Sequence, residues 1–309
     1  MDASIHAEPS FDGFSCEGCG AAINVAAGER TAKCPYCASP NIIARPPSAG
    51  EDPSFVVGFV IPEDDARKRA RAWIRSTWFV KTAFAKADVS DVRGIYLPAY
   101  LYSGSAKVDY TAQIGENYTV TETYTTTDAQ GKTVTRTRTR VETEWRSLSG
   151  RWEAYLDDVL VTASKGLANA ELEAIEPYDL RALRRFTPKI LSGWLAEDPS
   201  RSVNECATMA RQEAVEQVGA RLAAHMPGDS HRSLRYQTTF HNEHGALMLL
   251  PVWVLAVKYD PEAPAVRMVL NGQTGALVGR PPRSWGKITA FVLTLIVAIA
   301  FTVWLGVRP

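Results

Sequence analysis

The sequence predicts an α+β protein with a small cysteine-bearing module before its main body and a single apolar helix after it. Three observations lead to this prediction. Four of the five cysteines lie within the first 37 residues, in two C-x-x-C pairs. The middle of the chain carries both the 3.6-residue period of amphipathic helices and the two-residue period of strands. Near the C-terminus, a run of twenty residues carries no charge.

The length and charge of the chain limit the kinds of protein to which it can belong. A chain of 309 residues exceeds the ~100–200 residues of one domain, so we expect two or more units. The 34 Lys and Arg balance the 34 Asp and Glu, which excludes a global electrostatic pull toward nucleic acid or anionic lipid. The first residues show no basic stretch followed by an apolar run, so we predict no secretory signal. We therefore expect most of the chain in the reducing cytoplasm, where clustered cysteines bind metal more often than they form disulfides.

The paired cysteines are the strongest chemical signal in the sequence. They are Cys16, Cys19, Cys34 and Cys37. A two-residue gap lets both thiolates of a turn point at one ion, and Gly20 suits the positive φ that such a turn needs. Two such turns supply a tetrahedron of soft ligands, which predicts a zinc ribbon over residues 1–43. A rubredoxin-like iron site and disulfide pairing are the alternatives. Four protein ligands leave no open coordination position, so we expect the zinc to be structural and not catalytic.

A linker and an α+β body are predicted to follow the ribbon. Residues 44–54 include three prolines, which is typical of a linker. Residues 55–283 form the predicted cytoplasmic body. A helix that Pro62 opens and another from about Val203 to Ala224 each place mostly small and aliphatic residues on one face. An apolar run follows each helix, Ile95–Tyr102 after the first and Met248–Leu255 after the second, and each run predicts a buried strand.

Residues 118–145 predict a β-hairpin that protrudes from the body. Threonines at alternate positions give a period of two on both sides of a turn that ends at Gly131. A three-residue loop there would place Glu122 opposite Arg138, a favourable cross-strand pair. Neither face is apolar enough for a core. The hairpin arginines are a candidate interaction surface for phosphate or a protein partner, or else they keep an exposed ribbon soluble. They are Arg136, Arg138 and Arg140.

The uncharged run Ile288–Val307 predicts a transmembrane helix. Twenty helical residues span ~30 Å, the thickness of the hydrocarbon core of a bilayer. Trp285 and Trp304 lie near its ends, where indoles favour the membrane interface. More cations precede the run than follow it, and the positive-inside rule therefore places the preceding residues in the cytoplasm. Residues 284–309 are predicted to be a single-pass tail anchor in the lipid bilayer, with a buried core helix as the alternative.

The sequence shows no motif of a known catalytic site. It contains no G-x-G-x-x-G, no P-loop and no G-x-S-x-G. His241 and His244 lie close in sequence, but they do not form H-E-x-x-H and Gly245 indicates a loop. Cys206 is alone on the second predicted helix, which is typical of a buried structural thiol. We therefore predict a protein that is not an enzyme and has no catalytic residues.

Several segments carry a family resemblance. Besides the two C-x-x-C pairs, they are Tyr96–Tyr100, Ile175–Asp179, Phe186–Pro188, Leu191–Glu197, Leu250–Trp253 and Asn271–Gly275. Together they resemble a family of prokaryotic membrane-anchored proteins with an N-terminal zinc ribbon like that of transcription factor IIB. The resemblance covers nearly the whole chain. It implies a ribbon and an anchor, and it brings no catalytic residues and no established function.

These observations together predict a membrane-tethered zinc-ribbon adaptor that presents its cytoplasmic body to cytoplasmic or membrane protein partners. The alternative is a membrane-bound nucleic-acid-binding or regulatory protein that uses the ribbon and the arginine-rich hairpin. The neutral net charge and the acidic Glu17 and Glu29 disfavour this alternative, whereas Arg30 and Lys33 favour it. An enzyme with an unrecognised site is a third class.

Overall fold

A computed structural model of the protein shows the mixed α+β fold that the sequence predicts. It describes residues 11–26, 34–36, 42–45, 52–89, 91–127, 131–191, 193–260, 262 and 265–306. Two predictions fall partly outside these residues. Cys37, the fourth predicted metal ligand, is not among them, and neither are residues 128–130 of the predicted hairpin turn.

The described elements are eleven strands and five α-helices. The strands are β1 (Phe11–Cys16), β2 (Ala22–Ala26), β3 (Ile42–Arg45), β4 (Phe55–Val56), β5 (Asp91–Thr127), β6 (Thr133–Thr162), β7 (Arg184–Arg185), β8 (Leu195–Glu197), β9 (Ser230–Val257), β10 (Val266–Asn271) and β11 (Leu277–Gly279). The helices are α1 (Glu63–Ser76), α2 (Thr82–Lys86), α3 (Asn169–Glu173), α4 (Val203–Ala224) and α5 (Trp285–Gly306). Short 3-10 turns cover Leu180–Ala182 and Pro188–Leu191.

The strands form one mixed sheet in the order β11-β10-β9-β5-β8-β2-β1-β3, with β4 paired to β7 and β9 and β6 paired to β5. Strand β8 runs parallel to β5, with Leu195 opposite Ile95. On its other side β8 runs antiparallel to β2, with Glu197 opposite Ile23. The cysteine-bearing strands therefore continue the sheet of the body.

The chain divides into two compact units, each discontinuous in sequence. Unit 1 comprises Met1–Leu101, Leu160–Ala207 and Ala246–Pro309, and unit 2 comprises Tyr102–Val159 and Thr208–Gly245. Strands β5, β6 and β9 and helix α4 each contribute residues to both units.

The predicted domain boundaries differ from these units. The sequence suggested a separate ribbon over residues 1–43, a linker over 44–54 and a body over 55–283. In the structure, the cysteine-bearing strands and much of that body share unit 1. The physical reason is that a segment of about forty residues buries too little apolar surface to be stable alone, whereas pairing β2 with β8 lets it share a larger core.

Helix α1 packs on the sheet of unit 1 through one face. Ala66, Ala70 and Ile74 recur every four residues, so they lie on one side of the helix and are buried. They share a cluster with Trp253 and Leu255 of β9. This confirms the amphipathic helix that the sequence predicts, although it begins at Glu63 and Pro62 is its N-cap residue.

Unit 2 combines a helix with long, exposed strands. The part of α4 in this unit buries Ala210, Ala214, Val218 and Leu222. Its Arg221 donates a hydrogen bond to the Tyr155 carbonyl oxygen of β6 at 3.0 Å. By contrast, every described residue from position 118 to 141 is exposed or half-buried, as the sequence predicts for the hairpin segment.

Helix α5 is long and apolar enough to cross a membrane. Its stretch Trp285–Val303 has a mean hydropathy of 2.1, and the helix is the one candidate for a membrane span among the described residues. No residue of that stretch is buried in the protein. The alternative of a buried core helix is therefore wrong for this helix.

Candidate metal centre

The first C-x-x-C pair forms a tight loop at the end of β1. Cys16 ends the strand and Cys19 lies in the following turn. The Gly20 N–H donates to the Cys16 carbonyl oxygen at 2.9 Å, and the Cys16 N–H donates to the Ala21 carbonyl oxygen at 2.9 Å. Gly20 has φ +76°, a conformation that residues with a side chain rarely adopt. This loop brings both sulfurs to the same side of the hairpin.

Three cysteine sulfurs converge on one point. The Sγ atoms of Cys16, Cys19 and Cys34 all lie within 4.8 Å of one another. The Sγ atoms of Cys19 and Cys34 are 3.6 Å apart, far beyond the ~2.05 Å of a disulfide bond. Four thiolates around a tetrahedral Zn²⁺ at ~2.3 Å would be separated by about 3.8 Å. The cluster can therefore hold a metal ion, and its donor set suits a soft ion such as zinc or iron.

The cluster is part of the core of unit 1. Cys16 and Cys34 are only 1% and 2% exposed, and both share an apolar cluster with Ile23, Ile95 and Leu97. Ions bound by buried thiolates contribute to folding because the unfolded chain has no preformed site. Loss of a metal here would therefore loosen the sheet around β1 and β2.

The buried carboxylate of Glu197 links the segment of Cys34 and Tyr36 to the body through hydrogen bonds. The Tyr36 hydroxyl donates to Glu197 Oε2 at 2.5 Å, and the Ser164 hydroxyl donates to Glu197 Oε1 at 2.6 Å. Ser164 Oγ in turn accepts the Gly166 N–H at 2.8 Å. Glu197 is 2% exposed, so this network replaces water around its charge.

Arg267 of β10 contacts the segment that carries Ser164 and Gly166. It donates to the Gly166 carbonyl oxygen at 2.7 Å and forms an ion pair with Glu171. A Cβ at Gly166 would lie 2.8 Å from the Cβ of Ala21, so only glycine allows this close approach. Sequence reasoning missed Glu197, Ser164 and Arg267 because they lie far from the cysteines along the chain.

The network is shielded from solvent, which shifts its ionisation. Burial raises the pKa of the Glu197 carboxyl to about 7, although the hydrogen bonds from Ser164 and Tyr36 lower it. Burial, and then the neighbouring Glu197 charge, raises the pKa of the Tyr36 hydroxyl well above its usual value. These groups are buried, and their hydrogen bonds link Tyr36 to β8 and to the segment after β6.

Removal of the Glu197 carboxylate should destabilise unit 1. In Glu197→Ala the hydroxyls of Tyr36 and Ser164 lose their acceptor, and each buried group left unpaired costs about 1–3 kcal/mol. We expect the free energy of unfolding to fall by about 2–6 kcal/mol, measured by urea unfolding of the detergent-solubilised chain. Glu153→Ala is the control because Glu153 is exposed and lies 3.7 Å from Lys107, a surface pair that contributes less than ~1 kcal/mol. Equal midpoints for the two variants would contradict this role of Glu197.

The hairpin arginines lie in unit 2, whereas the cysteines lie in unit 1. All three are exposed on β6. Arg140 pairs with Glu122 at 3.0 Å and with Glu142 at 2.5 Å. Further along the strands the Tyr118 hydroxyl donates to Glu142 at 2.8 Å, as expected if Glu122 lies opposite Arg138. Part of the positive charge of this candidate surface is therefore neutralised locally.

The remaining candidates from the sequence do not form a second site. Cys206 is fully buried, as predicted for a structural thiol. Glu243, between the two histidines, accepts hydrogen bonds from Arg211 at 2.5 Å and from Tyr102 at 2.8 Å. Within the described part of the chain, no other group of three His, Cys, Asp or Glu side chains is arranged to hold a metal.

The chain was compared with known proteins. No family model matches it. It is 26% identical over 247 residues to the uncharacterized protein YdjG of Bacillus subtilis (strain 168). The matched region covers 77% of this chain and 66% of YdjG, so the chain spans just under two thirds of that relative. No solved structure matches. The proposals for function therefore rest on the residues themselves.

Proposed function

We propose that this protein is a non-enzymatic, membrane-tethered adaptor. Helix α5 anchors the chain in the bilayer, and unit 2 and the rest of unit 1 face the cytoplasm, where they bind protein partners. Zinc bound by Cys16, Cys19, Cys34 and Cys37 stabilises unit 1. The observation that carries the proposal is the apolar helix α5, in which no residue of Trp285–Val303 is buried and which belongs to the same unit as a buried cysteine cluster.

The anchor is supported by energetics. An apolar helix with no protein cover would expose its aliphatic side chains to water, and each such side chain costs about 1.5–3 kcal/mol relative to burial. A bilayer removes this cost. The cations Arg280, Arg283 and Lys287 precede the helix, and the positive-inside rule then favours a cytoplasmic location for the residues before it.

Charge supports protein partners over nucleic acid for unit 2. Across residues 102–159 and 208–245 the sequence has eleven Lys and Arg against thirteen Asp and Glu, a formal balance of −2. Several arginines of this unit are also paired with carboxylates, including Arg146, Arg151 and Arg211. A nucleic-acid-binding surface requires a net positive stripe. The mixed charge of these strands is instead typical of a polar protein-binding surface.

Substitution of the hairpin arginines should separate the two functional classes. If the protein is an adaptor, the combined change of Arg136, Arg138 and Arg140 to Ser should reduce the crosslinking of a protein partner in intact membranes or leave it unchanged. The chain should bind DNA and RNA no more tightly than ~10⁻⁴–10⁻⁶ M at physiological salt, the range of nonspecific binding. Crosslinking with mass spectrometry and fluorescence anisotropy measure these two outcomes.

The matched control for this experiment is Lys107→Ser with Arg146→Ser and Arg151→Ser, which removes three cations of the same unit that are already paired with carboxylates. Sub-micromolar binding of DNA or RNA would contradict the adaptor proposal if the affinity depends less steeply on salt in the hairpin variant but not in the control. If the slope of log affinity against log salt concentration falls by roughly one unit per lost phosphate contact, the hairpin is the binding surface.

A further inference from the structure

The loop between α1 and α2 exposes a large aromatic side chain. This loop, Thr77–Lys81, connects Ser76 to Thr82. Trp78 is 78% exposed, which is unusual for a residue that normally buries most of its surface. The next residue, Phe79, has φ +60°, a strained conformation for a residue with a bulky side chain. Such strain persists only where the surrounding contacts hold it.

Those contacts come from the base of α5. The Ser284 N–H donates to the Phe79 carbonyl oxygen at 2.6 Å, and the Lys81 N–H donates to the Pro282 carbonyl oxygen at 3.0 Å. Lys287 Nζ donates to the Val80 carbonyl oxygen at 2.9 Å. All of these residues belong to unit 1. The loop is therefore fixed to the first turn of the apolar helix.

One ring contact sets the depth of the loop. Phe79 packs edge-to-face on Phe291 of α5, with 5.2 Å between the ring centroids. Phe291 lies three residues past Ile288, where the uncharged run begins, which is about 4.5 Å along the helix axis. If α5 spans a bilayer, Phe291 is inside the apolar layer, and a loop in contact with it must reach the membrane interface.

The two segments that meet at this contact carry mostly positive charge. The described segments 75–88 and 280–287 contain a single acidic residue, Asp88, whose carboxylate pairs with Arg71 at 2.7 Å. The exposed cations of these segments are Arg75, Lys81, Lys86, Arg280, Arg283 and Lys287. Trp285, at the start of α5, is 72% exposed. Indoles together with Lys and Arg are the side chains that membrane interfaces favour.

We propose that the Thr77–Lys81 loop is a second membrane contact, in which Trp78 inserts into the interface of an anionic bilayer beside the base of α5. The surrounding cations lie against the lipid phosphates. This inference rests on the proposed anchor and adds to it that the loop holds unit 1 on the leaflet surface in a defined orientation. A tether alone would let the unit rotate and tilt freely.

Fluorescence quenching in vesicles tests this contact. A fluorescent amino acid, dansylalanine, replaces Trp78, Val60 or Val292 in the full chain, reconstituted in vesicles of phosphatidylcholine and phosphatidylglycerol. Val292 reports on α5 itself. Val60 is the matched control because it is 66% exposed, belongs to unit 1 and precedes α1, whose 14 residues span ~21 Å. Nitroxide lipids labelled near the headgroup quench fluorophores in the interface.

We expect quenching at position 78 to be several-fold stronger than at position 60, and quenching at position 292 by acyl-chain nitroxides. If position 292 is quenched but position 78 is quenched no more than position 60, the loop contact is wrong and the anchor stands. If position 292 is not quenched, the anchor itself is wrong, and the loop contact is wrong with it.

Discussion

Protein purified without chelator should contain about one zinc ion per chain, and Cys34→Ser should lose it. The sulfurs of Cys16, Cys19 and Cys34 already lie within 4.8 Å of one another, so a fourth thiolate from Cys37 would complete a tetrahedron. Structural zinc contributes on the order of 10 kcal/mol to folding in small peptides, which matches the whole ~5–15 kcal/mol stability of a typical domain. We therefore expect the variant to lose the structure around β1 and β2 and to unfold at much lower temperature.

Metal analysis by mass spectrometry and thermal unfolding of the detergent-solubilised chain measure both effects. Cys206→Ala is the matched control because Cys206 is also fully buried in unit 1 but lies outside the cluster. It should retain the metal. Protein that holds iron would support the cluster but contradict zinc. Protein with no metal at all would contradict the metal centre.

Deletion of residues 284–309 should convert a membrane-bound protein into a soluble, folded one. No residue of Trp285–Val303 is buried, so the deletion removes no buried side chain of this stretch from unit 1. It does remove the contacts of Ser284, Lys287 and Phe291 with the Thr77–Lys81 loop, which lies at the surface of the unit. The membrane fraction should contain the full chain after an alkaline carbonate wash, and the shortened chain should remain in the supernatant. Circular dichroism and gel filtration should show that the shortened chain is folded and not aggregated.

A single charge offers a finer version of this experiment. Val297 lies near the centre of the uncharged run, where an arginine costs about 2.5–3.5 kcal/mol on insertion into a membrane. Val297→Arg should therefore reduce the membrane-bound fraction, whereas Val60→Arg, at an exposed site outside the helix, should not change it.

If the shortened chain aggregates while the full chain is soluble without detergent, α5 belongs to the body and the anchor is wrong.

Local patterns in the sequence predict the features that neighbouring residues determine. The helix predicted from about Val203 to Ala224 has those bounds in the structure, because its apolar face repeats with the helical period. The uncharged run from Ile288 lies in α5, which begins three residues earlier at Trp285. Cys16 and Cys19 lie together because a C-x-x-C turn constrains its own sulfurs, and the spacing of the two pairs predicts that Cys34 joins them.

Contacts between distant segments could not be predicted in this way. Tyr36 and Glu197 are separated by 161 residues, and nothing in the composition around either residue indicates the other. The pairing of β2 with β8 depends on the same long-range fold, so the sequence suggested a separate ribbon where the structure has a shared sheet. The contact of Phe79 with Phe291 also joins segments far apart in the chain. A short strand such as Leu195–Glu197 gives too weak a local signal to identify its partners.

Protease protection measures most directly whether the protein is a cytoplasmic body on a membrane anchor. Intact cells and inside-out membrane vesicles that carry the full chain are treated with protease, and fragments are followed with an antibody against unit 2. The proposal predicts that unit 2 is degraded in the vesicles and protected in the cells, and that the protein resists a carbonate wash in both. Degradation of unit 2 in intact cells, or its release by carbonate, would contradict the proposed topology and with it the function.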